Sequence, residues 1–146
     1  MRFLIDTNVL LAAANTSAPE HGVSRELVED VLATNQPWCL SWVNVYEFLR
    51  VATHRRVFPR PLRFEDALDL LSPLLAHRAL EMLVPTDRHA EVLRAVVRDA
   101  GPVSGNFVHD CHIATLMAEH DVRLIKTFDT HFRRFSHLEV MVPGTE

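Results

Sequence analysis

The sequence lacks the features that mark membrane-spanning, exported and disulfide-stapled proteins. No apolar run approaches the length of a membrane span. Asp6 places an acid in the first apolar stretch, which excludes the core of a signal peptide there and predicts a cytoplasmic location. Cys39 and Cys111 form no CxxC pair and stand in apolar stretches, so we expect reduced core residues, with a single disulfide between them as the less favoured alternative.

An excess of positive charge is also missing. The chain has 15 Lys and Arg residues against 19 Asp and Glu residues, a net charge of −4, so the field of the whole molecule does not attract nucleic acid. Lys126 is the only lysine. Arginine suits phosphate binding because its planar guanidinium matches phosphate oxygens. Any contact with a nucleic-acid backbone must therefore come from a local group of arginines.

The 146 residues have the length and composition of one domain, which is predicted over residues 1–146. The sequence has no repeats, low-complexity tracts or linkers. Short apolar runs alternate with segments of helical periodicity. Strands are predicted at 3–5, 37–41, 82–84, 123–127 and 138–142. Helices are predicted at 23–32, from 42 to about 50, at 64–75 with Pro73 kinking or splitting it, at 88–100 before Gly101, and at 106–120. This alternation predicts a mostly parallel sheet of four to five strands, covered on both faces.

Four acids fall near the predicted carboxyl ends of the strands, where such sheets bind their ligands. Asp6 directly follows the first strand and Asp129 follows the fourth. Glu47 and Asp110 stand in the first turns of two helices that begin at the same edge. Asp110 shares a helix face with apolar residues, where an ionised carboxylate needs a cation, a hydrogen-bonding partner or a proton.

Each acid also has a simpler interpretation. Asp6 and Asp129 could cap helices, Glu47 could pair with Arg50 on the surface, and Asp110 could be satisfied by backbone amides. Their convergence on one edge favours a cation site, because clustered carboxylates repel one another without one. Oxygen-only ligands suit Mg²⁺ or Mn²⁺ rather than zinc, and the chemistry that fits such a site is hydrolysis of a phosphodiester.

Four short motifs occur in the order and spacing of a known family. They are Asp6-Thr7-Asn8, Ser41 six residues before Glu47, Asp110 followed by Ile113-Ala114, and Thr127-Phe128-Asp129-Thr130-His131-Phe132. Together they resemble the PIN-domain nucleases, and specifically the VapC-like toxins, over residues 2 to about 143. The resemblance implies a Rossmann-like three-layer α/β/α sandwich.

The resemblance also implies a function and a site. Asp6, Glu47, Asp110 and Asp129 would form an acidic metal site that binds Mg²⁺ or Mn²⁺, with Asp6 and Asp110 as the principal ligands. The supporting residues would be Thr7, Asn8, Ser41 and Thr127. The implied activity is endoribonuclease cleavage, without an organic cofactor. The implied partners are RNA, a small antitoxin whose C-terminal segment occupies the active-site groove, and a second copy in a homodimer. His131 stands where many relatives have a further acid, which leaves one or two metal ions open.

A run of arginines without an acid extends from Arg50 to Arg63. We expect RNA-backbone contacts from this run and from the pair after the last motif, namely Arg50, Arg55, Arg56, Arg60, Arg133 and Arg134. A solvated basic surface, or a surface that meets an acidic antitoxin, is an equally favoured interpretation.

The histidines and aromatic residues carry weaker signals. His109 and His112 lack the further converging ligands that zinc needs, so a zinc site is not favoured. His112 and His131 are candidates for contact with a substrate phosphate. Trp38, Trp42 and Tyr46 flank the second strand, and we interpret all three as core residues rather than platforms for base stacking.

Three other functions are alternatives to the ribonuclease. A phosphorylated receiver needs paired acids after strand one and a lysine after strand five, which this chain does not have. A DNA-flap nuclease needs additional helical segments for which the chain has no room. A non-catalytic PIN domain that serves as an RNA-binding or assembly scaffold stays the principal alternative, although all four acids are present.

Overall fold

Five short strands form one parallel sheet in the computed structural model, which describes residues 1–145. The sheet has the order β3-β2-β1-β4-β5, and every neighbouring pair is parallel. The strands are β1 (Phe3–Ile5), β2 (Trp38–Ser41), β3 (Leu80–Leu83), β4 (Leu124–Lys126) and β5 (Glu139–Met141). The predicted strands are therefore confirmed, each within two residues of its expected bounds.

Six α-helices and one 3₁₀ helix connect the strands within residues 1–145. The α-helices are α1 (Thr7–Ala14), α2 (His21–Ala33), α3 (Trp42–Ala52), α4 (Phe64–Leu75), α5 (His89–Ala100) and α6 (Phe107–Glu119), and the 3₁₀ helix spans Thr130–Arg134. Helix α4 continues through Pro73, so the helix is not split there, although Pro73 has no N–H to donate to the carbonyl of Asp69.

Helix α1 was not predicted from the sequence. From Val9 to Ala14 its residues are all apolar, so no polar face alternates with an apolar one. Its start is nevertheless defined locally, because the Asp6 side chain accepts a hydrogen bond from the backbone N–H of Thr7 at 2.8 Å and caps the helix. Helix α5 ends at Gly101, whose φ of 81° is the positive value predicted for a glycine directly after a helix.

The sheet separates two apolar cores, which gives the predicted three layers. Side chains of neighbouring strand residues point to opposite faces. Phe3 and Ile5 of β1 therefore pack with α1, α2, α3 and α4 on one face, and Leu4 packs with α5 and α6 on the other. All three residues are buried, which explains why β1 reads as a continuous apolar run.

The connections place a binding site at the centre of one edge. From β1 the chain moves outward through β2 to β3, and then crosses back to β4 on the other side of β1. The carboxyl ends of β1 and β4 are thus neighbours at the point where the strand order reverses, which is where open α/β sheets bind ligands. Asp6 follows β1 there, and its backbone N–H continues the ladder by donating to Lys126 O at 3.0 Å.

Candidate active site

Asp6 is held rigidly at the end of the central strand. Its carboxylate is 6% exposed. Oδ1 accepts hydrogen bonds from the Thr7 backbone N–H at 2.8 Å and from Asn44 Nδ2 at 3.4 Å. Oδ2 accepts from Thr127 Oγ1 at 2.7 Å and from Asn8 Nδ2 at 3.4 Å. Asp6 is thus both a helix cap and a member of a buried polar network, so the two interpretations of this residue do not exclude each other.

Thr127 links Asp6 to Asp129. Its fully buried hydroxyl donates to Asp6 Oδ2 and accepts the backbone N–H of Asp129 at 2.9 Å. Asn8 supports the same turn, because its Nδ2 donates to Thr127 Oγ1 at 3.1 Å and its Oδ1 accepts the backbone N–H of Phe128 at 3.2 Å. The turn after β4 is therefore fixed to the turn after β1 by side chains that the motifs had singled out.

Asn44 is part of this network, and the sequence reasoning missed it. Ser41 caps α3, and its backbone N–H and Oγ donate to Asn44 Oδ1 at 3.0 and 2.7 Å. This capping box turns the amide of Asn44 so that Nδ2 donates to Thr7 Oγ1 at 3.2 Å as well as to Asp6. The signal was available, because Ser-x-x-Asn at the start of a helix is a variant of the Ser-x-x-Glu pattern.

Asp110 is the carboxylate without a partner. It lies in the first turn of α6 and is half-buried, yet no hydrogen bond to its side chain forms within residues 1–145. Burial, followed by the negative charges of Asp129, Asp6 and Glu47, raises its pKa from 3.8 to about 7, while His131 acts in the opposite direction. The alternative in which backbone amides satisfy Asp110 is therefore wrong.

The electrostatics show that Glu47 and Asp129 act on both Asp6 and Asp110. Burial raises the pKa of Asp6 from 3.8 to about 6 even though its hydrogen bonds with Thr127 and Thr7 work against the rise, and the charges of Glu47 and Asp129 add to it. The same neighbours raise the pKa of Asp110. Four carboxylates from α3, α6 and the turns after β1 and β4 therefore share one electrostatic field, as their positions at the strand ends predicted.

Glu47 and Asp129 complete the cluster from its two sides. Glu47 is half-buried on α3, and among the described residues it forms no ion pair with Arg50, so the alternative of a surface pair is not what the structure has. Asp129 caps the 3₁₀ helix by accepting the His131 backbone N–H at 2.9 Å, and its Oδ1 also lies 2.9 Å from His131 Nδ1. The imidazole thus touches one of the acids rather than standing apart from them.

The donor chemistry of the cluster fits a hard divalent cation. Carboxylate oxygens are the ligands that Mg²⁺ and Mn²⁺ take, and Asp110 has acceptor oxygens that no protein group uses over residues 1–145. In that part of the chain, no three His, Cys, Asp or Glu side chains already converge tightly enough to hold an ion. Binding would therefore draw the carboxylates closer together.

A cleft leads from the cluster between α3 and α6. It has a volume of about 350 Å³ and is lined by Val43, Tyr46, Glu47, Arg50, His109 and His112. We call it the α3–α6 cleft. Glu47 belongs to both the cleft and the acidic cluster, so a group bound in the cleft lies beside that one of the four acids.

The arginines of the sequence prediction have different environments. Arg50 lines the α3–α6 cleft, whereas Arg55, Arg56 and Arg60 are exposed in the segment after α3. Arg133 is exposed on the 3₁₀ helix. Arg134 serves the fold, because its guanidinium donates to Ala100 O and Pro102 O and lies 4.0 Å from the centre of the Phe107 ring.

The three aromatic residues around β2 have different environments. Trp38 is fully buried, as predicted, whereas Trp42 and Tyr46 are 50% and 68% exposed. The core interpretation is therefore wrong for the last two. The reason is that α3 begins directly after Ser41, which changes the side-chain repeat from two residues to 3.6 and turns positions 42 and 46 outward.

The two cysteines and the histidines of α6 were the subject of two further predictions. Cys39 and Cys111 are buried free thiols, as expected, and burial raises the pKa of Cys39 to about 12. His112 packs edge-on against His89, with the ring centres 5.7 Å apart. Over residues 1–145, His109 and His112 do not converge with further ligands on a zinc site. No described helix is long and apolar enough to cross a membrane.

Comparison with known proteins agrees with the fold and the motifs. The family profile of the PIN domain matches residues 3–138. Ribonuclease VapC37 of Mycobacterium tuberculosis is 34% identical over 132 residues, which cover 90% of each chain. Ribonuclease VapC25 of the same organism is 30% identical over 141 residues, covering 97% of this chain and 98% of the relative.

Solved structures show the same fold at lower identity. The structure of VapBC2 from Rickettsia felis, bound to a promoter DNA fragment, aligns with a TM-score of 0.68 at 17% identity, covering 97% of this chain and 98% of that one. VapC20 of M. tuberculosis, a toxin that cleaves the sarcin–ricin loop, aligns with a TM-score of 0.62 at 19% identity, covering 90% and 92%.

The sheet order and these matches define an α/β domain of the nuclease type, and its acidic cluster lies at the strand switch. The chain belongs to the PIN domain family, and its curated relatives named above are VapC ribonucleases. The resemblance stated from the four motifs is confirmed.

Proposed function

We propose that this protein is an endoribonuclease that depends on Mg²⁺ or Mn²⁺ and acts as the toxin of a toxin–antitoxin pair. The observation that carries the proposal is Asp110, a half-buried carboxylate that faces three other acids and has no hydrogen-bonding partner within residues 1–145. A group in this position is stabilised by a cation. The names of the curated relatives supply the substrate class, which is RNA.

In this proposal Asp6 and Asp110 are the principal metal ligands, and Glu47 and Asp129 complete the site. A bound Mg²⁺ or Mn²⁺ supplies a water of lowered pKa, neutralises charge on the phosphate and stabilises the leaving oxygen. Asp110 must give up its proton when a cation binds, because its pKa lies near 7 without one. Metal binding is therefore expected to release protons at neutral pH.

The supporting residues keep Asp6 in position. Thr7, Asn8, Asn44 and Thr127 together donate four hydrogen bonds to its two oxygens. Such bonds orient a ligating carboxylate before the cation arrives and thereby strengthen binding. Ser41 acts one step further away, because it holds the amide of Asn44.

The RNA backbone is expected to contact arginines rather than the whole surface, since the net charge is −4. Arg50 is the strongest candidate because it lines the α3–α6 cleft beside Glu47. Arg55, Arg56, Arg60 and Arg133 are exposed and available. Arg134 is a weaker candidate, since its donors already bind the carbonyls of Ala100 and Pro102.

We further propose a cognate antitoxin, a homodimer and a cytoplasmic location. Structures of similar fold include VapBC-1 of nontypeable Haemophilus influenzae and VapBC2 of Rickettsia felis, whose names pair VapC with a second protein, VapB. The antitoxin would place its C-terminal segment in the active-site groove and so exclude RNA from the four acids. The scaffold alternative gains no support from the site, because every acid that the chemistry needs is present.

The test is cleavage of total bacterial RNA by purified, antitoxin-free protein. Reactions with Mg²⁺, with Mn²⁺ and with chelator are run beside the Asp6→Ala protein. Discrete fragments that need the metal and are absent with Asp6→Ala would support the nuclease. An absence of cleavage by folded protein across a broad range of RNA would favour the scaffold instead.

A further inference from the structure

Tyr46, the most exposed aromatic side chain over residues 1–145, stands next to Glu47 of the acidic cluster. Trp42 and Tyr46 lie one turn apart on α3 and are 50% and 68% exposed. Tyr46 precedes Glu47 directly and lines the α3–α6 cleft with it. Large exposed aromatic rings are unfavourable in water and mark binding surfaces when they cluster beside a site.

The side chains that line the cleft suit the binding of a flat aromatic ring. Tyr46 and Arg50 lie on its α3 side, His109 and His112 lie on its α6 side, and Val43 is apolar. Phenol, imidazole and guanidinium groups all present planar faces that stack on bases. The volume of about 350 Å³ is at the lower end of small-molecule sites, which suits one planar group rather than a protein segment.

We propose that the α3–α6 cleft binds an unpaired nucleobase of the RNA, stacked on Tyr46, next to the acidic cluster at which the phosphodiester is cleaved. This inference rests on the proposed function, because it needs RNA at the acidic cluster. Arg50, which forms no ion pair within residues 1–145, contacts the neighbouring phosphate. A base inside a duplex has both faces covered, so the cleft selects single-stranded segments, loops and bulges.

The test measures RNA binding separately from cleavage. The Asp110→Asn protein is used in chelator, so that the probe stays intact, and its affinity for a fluorescent unstructured RNA of about 12 nucleotides is measured. Adding Tyr46→Ala should weaken binding by about 5- to 100-fold, whereas Tyr46→Phe should keep it, because stacking needs the ring and not the hydroxyl. Phe64→Ala is the matched control, since Phe64 is 52% exposed on α4 and does not line the cleft.

An abasic oligomer of the same length separates stacking from backbone contact. It should bind the Tyr46→Ala protein and its parent equally, while Arg50→Ala should weaken binding of both oligomers. Equal affinity of the parent and Tyr46→Ala for the normal RNA would overturn the inference. A fall in molecular mass in light scattering with Tyr46→Ala, at unchanged RNA affinity, would also overturn it and assign the surface to a second copy of the chain.

The outcomes distinguish this inference from the proposed function. Metal-dependent cleavage by the wild type, together with unaltered RNA binding by Tyr46→Ala, would reject the nucleobase cleft and leave the nuclease standing. A wild type that never cleaves, but whose RNA binding needs Tyr46, would reject the nuclease and leave the cleft as an RNA-binding site.

Discussion

The exchange Asp110→Asn should stabilise the metal-free protein at pH 8. Asparagine has nearly the same shape as aspartate but carries no charge, and it removes the ionised group that burial and three neighbouring acids disfavour. The exchange removes no side-chain hydrogen bond within residues 1–145, because the Asp110 side chain forms none there. A substitution at an active-site position is therefore expected to raise stability, opposite to the usual effect of a mutation.

The size of the effect follows from the two pKa values. The pKa of Asp110 is about 7 in the folded protein against 3.8 as the ordinary value, and the difference corresponds to roughly 4 kcal/mol. Solvent screening of a half-buried group reduces this, to about 2 kcal/mol. For a domain of this size, 2 kcal/mol raises Tm by about 4–8 °C.

The difference in stability between the wild type and Asp110→Asn is expected to depend on pH, and to favour the variant wherever it is not zero. Below about pH 4 the carboxyl is protonated in both the folded and the unfolded state, so the wild type and Asp110→Asn should be equally stable. Between about pH 4 and pH 7 the unfolded chain ionises first, and the wild type loses stability relative to the variant. Above pH 7 the difference in stability is constant.

Thermal melts in chelator at pH 4, 6 and 8 measure this difference. Asp69→Asn is the control, because Asp69 is an exposed helical acid without an ion pair in the described chain, and its Tm should stay close to that of the wild type. Adding Mn²⁺ should raise the Tm of the wild type more than that of Asp110→Asn. A variant that melts below the wild type at pH 8 in chelator, or a difference that is the same at pH 4 and pH 8, would refute the reasoning.

Three further predictions concern activity and the network. Asp6→Ala and Asp110→Ala should each abolish RNA cleavage while circular dichroism shows a retained fold. Asp110→Ala should not melt below the wild type in chelator, and a clearly lower Tm for it would indicate a structural role, whereas Asp6→Ala should melt lower because it removes the cap of α1 and the acceptor of four hydrogen bonds. Expression without the antitoxin should stop bacterial growth, and Asp6→Ala should restore it; normal growth with soluble wild-type protein would weaken the toxin assignment. Thr127→Val should weaken Mn²⁺ binding by about 10- to 100-fold in calorimetry, because Asp6 Oδ2 loses its shortest hydrogen bond, whereas Thr127→Ser should stay close to the wild type; equal affinity for both would show that Thr127 does not position Asp6.

The strands and most helices were predictable because the pattern of apolar residues follows the local geometry. The run Phe3-Leu4-Ile5 is buried on both faces, and α5 ends at Gly101 because the chain needs a positive φ there. Helix α1 was not predictable from periodicity, since a helix without a polar face has no amphipathic repeat. Its existence depends on packing against α2 and α3, which is tertiary information.

The candidate site also contains residues that could be predicted from the sequence and residues that could not. Asp6, Glu47, Asp110 and Asp129 could be placed at one edge because parallel strands end together. The roles of Asn44 and Arg134 depend on partners far away in sequence: Asn44 Nδ2 donates to Thr7 Oγ1, and Arg134 donates to Ala100 O. The exposure of Tyr46 depends on the residue at which α3 begins, where a shift of one position turns a side chain by about 100°.

The hydrogen bond between Thr127 and Asp6 joins residues 121 positions apart. Strand β1 is made first, yet one of its two neighbours in the sheet, β4, emerges from the ribosome only after nearly all of the intervening chain. A nascent chain that has not reached Asp129 lacks the central strand pair, the support of Asp6 and the fourth carboxylate. The acidic cluster is therefore supported only after β4 has paired with β1, and a nascent chain without Thr127 cannot hold Asp6 in this way. If the proposed function is right, cleavage of RNA has to wait for this late pairing, so the order of synthesis delays the activity of each new molecule.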